Sequence, residues 1–195
     1  MNKYTKIIVL FLLGVALILG YSSISNKPND PVGSSTETVT APVTHTIVDM
    51  SGNEVTLPVE IKRVVNLWPA SNSVMLCLGA GDLLIGTHNF TKGLPWSQFV
   101  YPEIMDVPIG SSNAEELLKI EPDLIITPQE DLAKSLREAG LNAVMLMFQD
   151  YDSMKQAFSL LGDILGGEYK QKTDLWAAMV DENIATVSKA VGDIP

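Results

Sequence analysis

Apolar residues fall in three kinds of block along this chain. The first is a single run, Ile7 to Leu19, preceded by Lys3 and Lys6. A basic start followed by a short apolar core has the form of an export signal; a bilayer-spanning helix needs about 20 apolar residues. The alternative is an uncleaved anchor, with Tyr4 and Tyr21 at the membrane interface. The leader is expected over 1–22. The next stretch, 23–44, is rich in Ser, Thr, Pro, Asn and Gly. It holds too little apolar surface to offset the entropy of ordering, so a flexible tether is predicted.

The second kind of block, short apolar runs between polar helical patterns, fills 45–166. "HTIVDMSGNEVTLP" reads as a hairpin turning at Ser51-Gly52-Asn53. Val64 to Leu67 is a strand halted by Pro69. "SNSVMLCLGAG" is a helix, with Ser71 or Asn72 as its cap, Val74, Met75 and Leu78 on one face, and Gly79 or Gly81 at its end. "DLLIGTH" is a strand, and Asn89 to Gly110 reads as a long Pro/Gly-rich loop. Ser112 and Glu115 have the S-x-x-E spacing of a capping box, and Pro122 stops the helix they open. "DLIIT" and "AVMLMF" are strands without alternation, as expected of a parallel sheet covered on both faces. "EDLAKSLREAG", ending at Gly140, and "YDSMKQAFSLLGDILG" are helices, the latter with Met154, Ala157, Phe158, Leu161 and Leu165 at helical spacing. Strands alternating with helices predict a Rossmann-like α/β lobe with a parallel sheet.

The third block, 167–195, is different. Trp176, Val180, Ile184, Val187 and Val191 recur every three or four residues without a breaker. This predicts one helix of about 36 Å with a narrow apolar stripe, longer than a small domain needs and suited to carrying a second lobe.

Composition narrows the function. The formal charge is −10 and the chain is 46% hydrophobic. An acidic globule of this kind repels nucleic acid, which is excluded as a partner. One cysteine, Cys77, and two histidines are too few for an intrachain disulfide or a typical zinc site. No G-x-G-x-x-G follows a strand and no G-x-x-x-x-G-K-[ST] occurs. Gly79-Ala80-Gly81 comes after a helix, the wrong place for a dinucleotide loop. His45 lies at the tether's end, and no Ser/His/Asp order stands out. A catalytic reading has little to stand on, and no cofactor is expected.

In open α/β sheets, ligands sit beyond the carboxyl ends of the strands. Those ends are Trp68-Pro69-Ala70-Ser71, His88-Asn89-Phe90, Thr127-Pro128-Gln129 and Phe148-Gln149-Asp150-Tyr151. Aromatic and hydroxyl groups there suit a large flat ligand with a polar rim. The candidates are Trp68, Pro69, Ser71, Asn72, His88, Asn89, Phe90, Trp96, Gln129 and Tyr151. Several have plainer roles open to them. Trp68 can be core at a strand end, Trp96 a packing lid, and His88 a surface residue rather than an axial haem ligand. Met75 falls on the apolar helix face and reads as core.

"TIVDMSGNEVTLP", "RVVNLWPASNSVMLCLGAGDLLIGT" and "IGSSNAEELLKIEPDLIIT" together resemble the solute-binding proteins of ABC importers for iron-siderophores, haem and cobalamin, from about Thr46 to Pro195. The D-x-x-G-N hairpin and the E-x-x-x-x-x-x-P-D-L spacing carry the likeness in combination. The resemblance implies two Rossmann-like lobes joined by a long helix, with a metal chelate held between them. This chain would supply the first lobe and the helix; the second lobe would be absent, through fragmentation or truncation. It also implies that Glu115, with Glu116 as the near alternative, docks on an ABC permease subunit, beside or instead of capping its helix. The transported ligand would carry iron or cobalt. Ser73 stands where an acidic residue is frequent in the family. "LILGYSS" resembles a lipoprotein lipobox with Tyr21 in place of the cysteine. The expected location is therefore the outer face of the cytoplasmic membrane or the periplasm, with the domain anchored by the leader or released. An enzyme lobe and a surface interaction module are the competing readings.

Overall fold

The computed structural model describes residues 43–192. The expected leader and nearly all of the tether lie outside the described residues. The chain enters on an antiparallel hairpin, β1 (Thr44–Val48) and β2 (Glu54–Pro58), in register from Thr44 opposite Pro58 to Val48 opposite Glu54. Ile47, Val55 and Leu57 turn inward, and their neighbours face water, as period-two alternation requires. The turn is organised by Asp49. Its Oδ1 accepts from Ser51 N, Ser51 Oγ and Asn53 N, while Oδ2 accepts from Arg137 Nη1 at 3.0 Å and Met145 N at 3.1 Å. One buried carboxylate thus closes the hairpin and ties it to the sheet. The D-x-x-G-N pattern is explained by this structural work.

The main sheet has four parallel strands in the order β4-β3-β5-β6: β3 (Val64–Asn66), β4 (Leu84–Gly86), β5 (Leu124–Thr127) and β6 (Ala143–Met145). All four residues of β5 are buried, which accounts for a strand without alternation. Between the strands run α1 (Pro69–Leu78), α2 (Asn89–Gly93), α3 (Pro95–Val100), α4 (Ala114–Ile120) and α5 (Glu130–Glu138). Helices α6 (Tyr151–Leu165) and α7 (Gly167–Val191) follow β6. The apolar interior divides into two clusters, one on each face of the sheet. Leu117, Ala133, Leu136 and Leu141 pack on Val65 and Ile125. On the other face Met75, Leu78, Leu161 and Ile164 pack on Val64, Leu124 and Ile126, joined by the hairpin's Val55 and Leu57. The fold is a three-layer α/β lobe with a parallel sheet, as the alternating pattern predicts.

Three local expectations are corrected. The segment expected as a loop after His88 contains α2, α3 and a 3-10 turn at Pro102–Met105. Pro95 stands in the first turn of α3 and Pro102 in that of the 3-10 element, where a missing N–H costs nothing, so prolines start these turns instead of breaking them. The Ser112/Glu115 box does not form. Asn113 is the cap of α4, its Oδ1 accepting from Glu116 N at 3.1 Å, while Ser111 Oγ takes the Asn113 N–H. Nor do Ser71 and Asn72 cap α1, which begins at Trp68 with Pro69 in its first turn.

Helix α7 changes environment along its length. Its first half lies on α6, where Phe158 and Trp176 stack at 3.7 Å and 15°. A Cβ on Gly162 would overlap Thr173, so glycine permits this close approach. Lys172 Nζ donates to Leu78 O at 2.7 Å, and Lys155 Nζ reaches Asp181 at the same distance. Past Asp181 every described residue is exposed, including Ile184, Val187 and Val191 of the apolar stripe.

Candidate functional site

The carboxyl ends of the four strands come to one edge of the sheet, and three shallow depressions lie along it. The first, of about 320 Å³, lies among Leu67, His88, Gly110, Ser112, Thr127, Pro128, Gln129 and Leu132. The second, about 420 Å³, is lined by Trp68, Pro69, Ala70, Ser73, His88, Phe90 and Leu94. The third, about 480 Å³, is lined by Phe148, Gln149, Asp150, Tyr151 and Met154. His88 belongs to both the first and the second. Trp68 meets Phe148 edge to face at 4.7 Å and links the second to the third. An aromatic and apolar shelf with hydroxyl, amide and imidazole groups beside it results, open to solvent.

Of the residues expected to bind ligand, Trp68, Pro69, His88, Phe90, Gln129 and Tyr151 line these depressions. Asn89 is exposed at the start of α2 but lines none of them. Ser71 and Asn72 are corrected: both are fully buried and cannot touch a ligand from there. They serve a network beneath the shelf instead. Asn66 Oδ1 accepts from Ser71 Oγ at 2.6 Å and from Trp68 N at 3.2 Å, and Asn72 Nδ2 donates to Asn66 O and Trp68 O. Thr87 Oγ1 completes the network by donating to Asn72 Oδ1 at 2.8 Å. A fully satisfied buried polar network of this kind holds its members rigidly. It fixes Trp68 relative to the ends of β3 and β4. Trp96, like Trp68 half-buried against the apolar interior, lines none of the three depressions.

The sequence reading missed Gly110, Ser112, Ser73 and Leu94 as lining residues and Asn66 and Thr87 as supports. Residues 108–110 run beside the end of β4, with Thr87 N donating to Pro108 O and Gly110 N to Thr87 O. No apolar run marks that pairing. The one available signal for the supports was a polar residue, Asn66, closing an apolar strand.

His88 has a defined polarity. Its Nδ1 accepts from Phe90 N at 3.1 Å, capping α2. In the neutral ring the proton then sits on Nε2, leaving that nitrogen a hydrogen-bond donor. A metal-binding histidine has the opposite arrangement, donating from one nitrogen and ligating through the other. The axial-ligand option for His88 is therefore disfavoured by its own capping bond.

Glu115 and Glu116 are exposed in the first turn of α4, which starts at the same edge of the sheet. Neither carboxylate forms an ion pair among the described residues. Their negative charge complements the helix dipole at that end.

The architecture is a parallel-sheet lobe with aromatic and polar groups at its strand ends and a long helix after its last strand. No family model matches the chain. It is related in sequence to two curated lipoproteins of Bacillus subtilis. The uncharacterized ABC transporter substrate-binding lipoprotein YvrC is 26% identical over 204 residues, covering 97% of this chain and 62% of its own length. The probable siderophore-binding lipoprotein YfiY is also 26% identical, covering 100% of this chain and 56% of its own. The chain thus spans about three-fifths of the length of the curated relatives it matches. Among solved structures, a periplasmic solute binding protein from Veillonella parvula superposes with a TM-score of 0.67 at 22% identity, over 75% of this chain and 48% of that one. The molybdate-binding protein MolA of Haemophilus influenzae gives 0.66 at 20% identity, over 77% and 55%. The fold is that of a lobe of the periplasmic solute-binding proteins.

Proposed function

We propose that the chain is an extracytoplasmic solute-binding component of an ABC importer for a metal chelate, one that binds its ligand without transforming it. The observation that carries this reading is the shelf of Trp68, Phe90, Phe148 and Tyr151, flanked by His88 and Gln129, at the strand ends of a solute-binding-protein lobe. A flat chelate stacks on such aromatic faces and receives hydrogen bonds at its rim. In this reading α7 leads to a second lobe that closes over the ligand, and its exposed stripe of Ile184, Val187 and Val191 is where that lobe packs. Glu115 and Glu116 dock on permease arginines through charge-assisted pairs, as exposed carboxylates at the binding edge can do. The export signal and tether hold the lobe at the outer face of the cytoplasmic membrane.

The test is ligand titration of the full chain, followed by tryptophan fluorescence, with ferric chelates, haem and a cobalamin. Saturable quenching that is lost in Trp68→Phe supports the reading. Absence of quenching by all three classes overturns it.

A further inference from the structure

Charge at the binding edge points to the kind of chelate. This inference rests on the transport reading above. Three helices, α4, α5 and α6, begin at the shelf, and their partly positive N-termini would in a bare fold suit an anion. Each is already occupied by acids in its first turn: Glu115 and Glu116 in α4, Glu130 and Asp131 in α5, and Asp152 behind the Asp150 cap in α6. The other two helices at this edge offer little to an anion. Pro69 in the first turn of α1 lacks an N–H, and the Phe90 N–H at α2 is taken by His88 itself.

Six basic side chains are engaged away from the depressions. Arg63 donates to Ile120 O and Glu121 O at the far edge, and Arg137 pairs with buried Asp49. Lys92 Nζ donates to Val107 O, and Lys172 to Leu78 O. Lys155 and Lys170 are held by aspartates of α6 and α7. Among the described residues, none of the side chains lining the three depressions is a lysine or an arginine. What lines them is aromatic, aliphatic, hydroxyl, amide, thioether and imidazole, with one carboxylate, Asp150, in the third and the acids of the helix starts around them.

We propose that this face selects an uncharged or cationic chelate and rejects anionic ones. Desolvating a negative ligand here would bring it among carboxylates, with no lysine or arginine lining the three depressions to answer it. A neutral chelate loses nothing to these carboxylates and gains from the aromatic shelf and from the His88 Nε2–H.

The experiment titrates the full chain with an uncharged ferric trihydroxamate and a strongly anionic ferric tricatecholate of similar size, at low and high salt. The trihydroxamate should bind at least about tenfold more tightly at low salt. The gap should narrow as salt screens these carboxylates. In the double variant Glu130→Gln, Asp131→Asn, whose side chains lie outside the depressions, tricatecholate affinity should rise while trihydroxamate affinity stays the same; circular dichroism checks that α5 is intact. Equal or tighter binding of the anionic chelate by the unaltered chain overturns the inference and leaves the transport reading standing. Failure of both chelates to bind overturns the inference; the transport reading falls with it only when haem and a cobalamin fail as well.

Discussion

The two edges of the parallel sheet use their polar groups in opposite ways. At the edge where the strands begin, every reach is inward. Asp123 Oδ2 takes the backbone N–H groups of Lys62 and Arg63 at 2.8 Å each. Arg63 returns its guanidinium to the last carbonyls of α4, and Asn142 Nδ2 donates to Asp123 O. The Asp of the P-D-L pattern thus caps one strand while starting its neighbour. At the edge where the strands end, the inward bonds are made by a second tier, Asn66, Ser71, Asn72 and Thr87. The tier above, Trp68, His88, Gln129 and Tyr151, keeps faces and donors open. Polar groups spent on the fold and polar groups left open are segregated by sheet polarity.

The sharpest break in this comparison is at the most enclosed inward group. Asp49→Ala leaves Arg137 without its carboxylate and removes the hairpin's organising acceptor. A loss of about 3–5 kcal/mol in denaturant unfolding is expected, with ligand affinity of the folded fraction unchanged. The same residue gives a pH signature. Burial pushes the Asp49 carboxyl up, but bonds from Ser51, Asn53 and Met145 more than offset this and hold it below its ordinary value of 3.8. A carboxyl lowered by folding stabilises the protein above its unfolded pKa, and that contribution disappears as pH falls through the lowered value. Stability should therefore fall with acidification below about pH 4, and Asp49→Asn should flatten that limb of the curve.

Next in size, Asp123→Ala removes two charge-assisted bonds and should cost about 2–3 kcal/mol, again without effect on binding. Across the sheet the outcome should invert. Trp68→Ala should weaken chelate binding by about tenfold and cost less stability than Asp123→Ala, because the Asn66 network survives and the half-buried indole gives up only its packing on Phe148 and the core edge. The smallest effect is expected of His88→Leu, a loss of about three- to tenfold in affinity, the worth of one hydrogen bond. If Trp68→Ala destabilises as much as Asp123→Ala, the division between the edges is wrong.

How much of this was legible in the sequence follows the same division. Strand β5 was readable because Leu124, Ile125 and Ile126 advertise burial on both faces. The ligand shelf was half readable, because strand ends are located by their apolar runs and Trp68, Gln129 and Tyr151 stand just beyond them. Ser71 and Asn72 were misassigned because capping residues and buried network residues have the same chemistry. The difference lies in Thr87 and Asn66, which only folding brings to them. The cap of α4 slipped by one because Ser111, Ser112 and Asn113 are all competent caps. The turns of α2 and α3 are five and six residues long, too short to show a helical period. Trp96 was placed by its loop, but its ring is claimed by the interior.

The joint between α6 and α7 sets a mechanical rule. Two glycines with positive φ, Gly166 and Gly167, make the reversal. The Phe158–Trp176 stack and the Thr173–Gly162 contact then clamp the returning helix before it leaves the lobe. The reversal is thus no hinge, since turning there would tear both contacts apart. Any bending of α7 is confined to the unsupported turns past Asp181. On the proposed transport reading, whatever the far end of α7 carries would be held to this lobe as far as Asp181 and free to swing only beyond it.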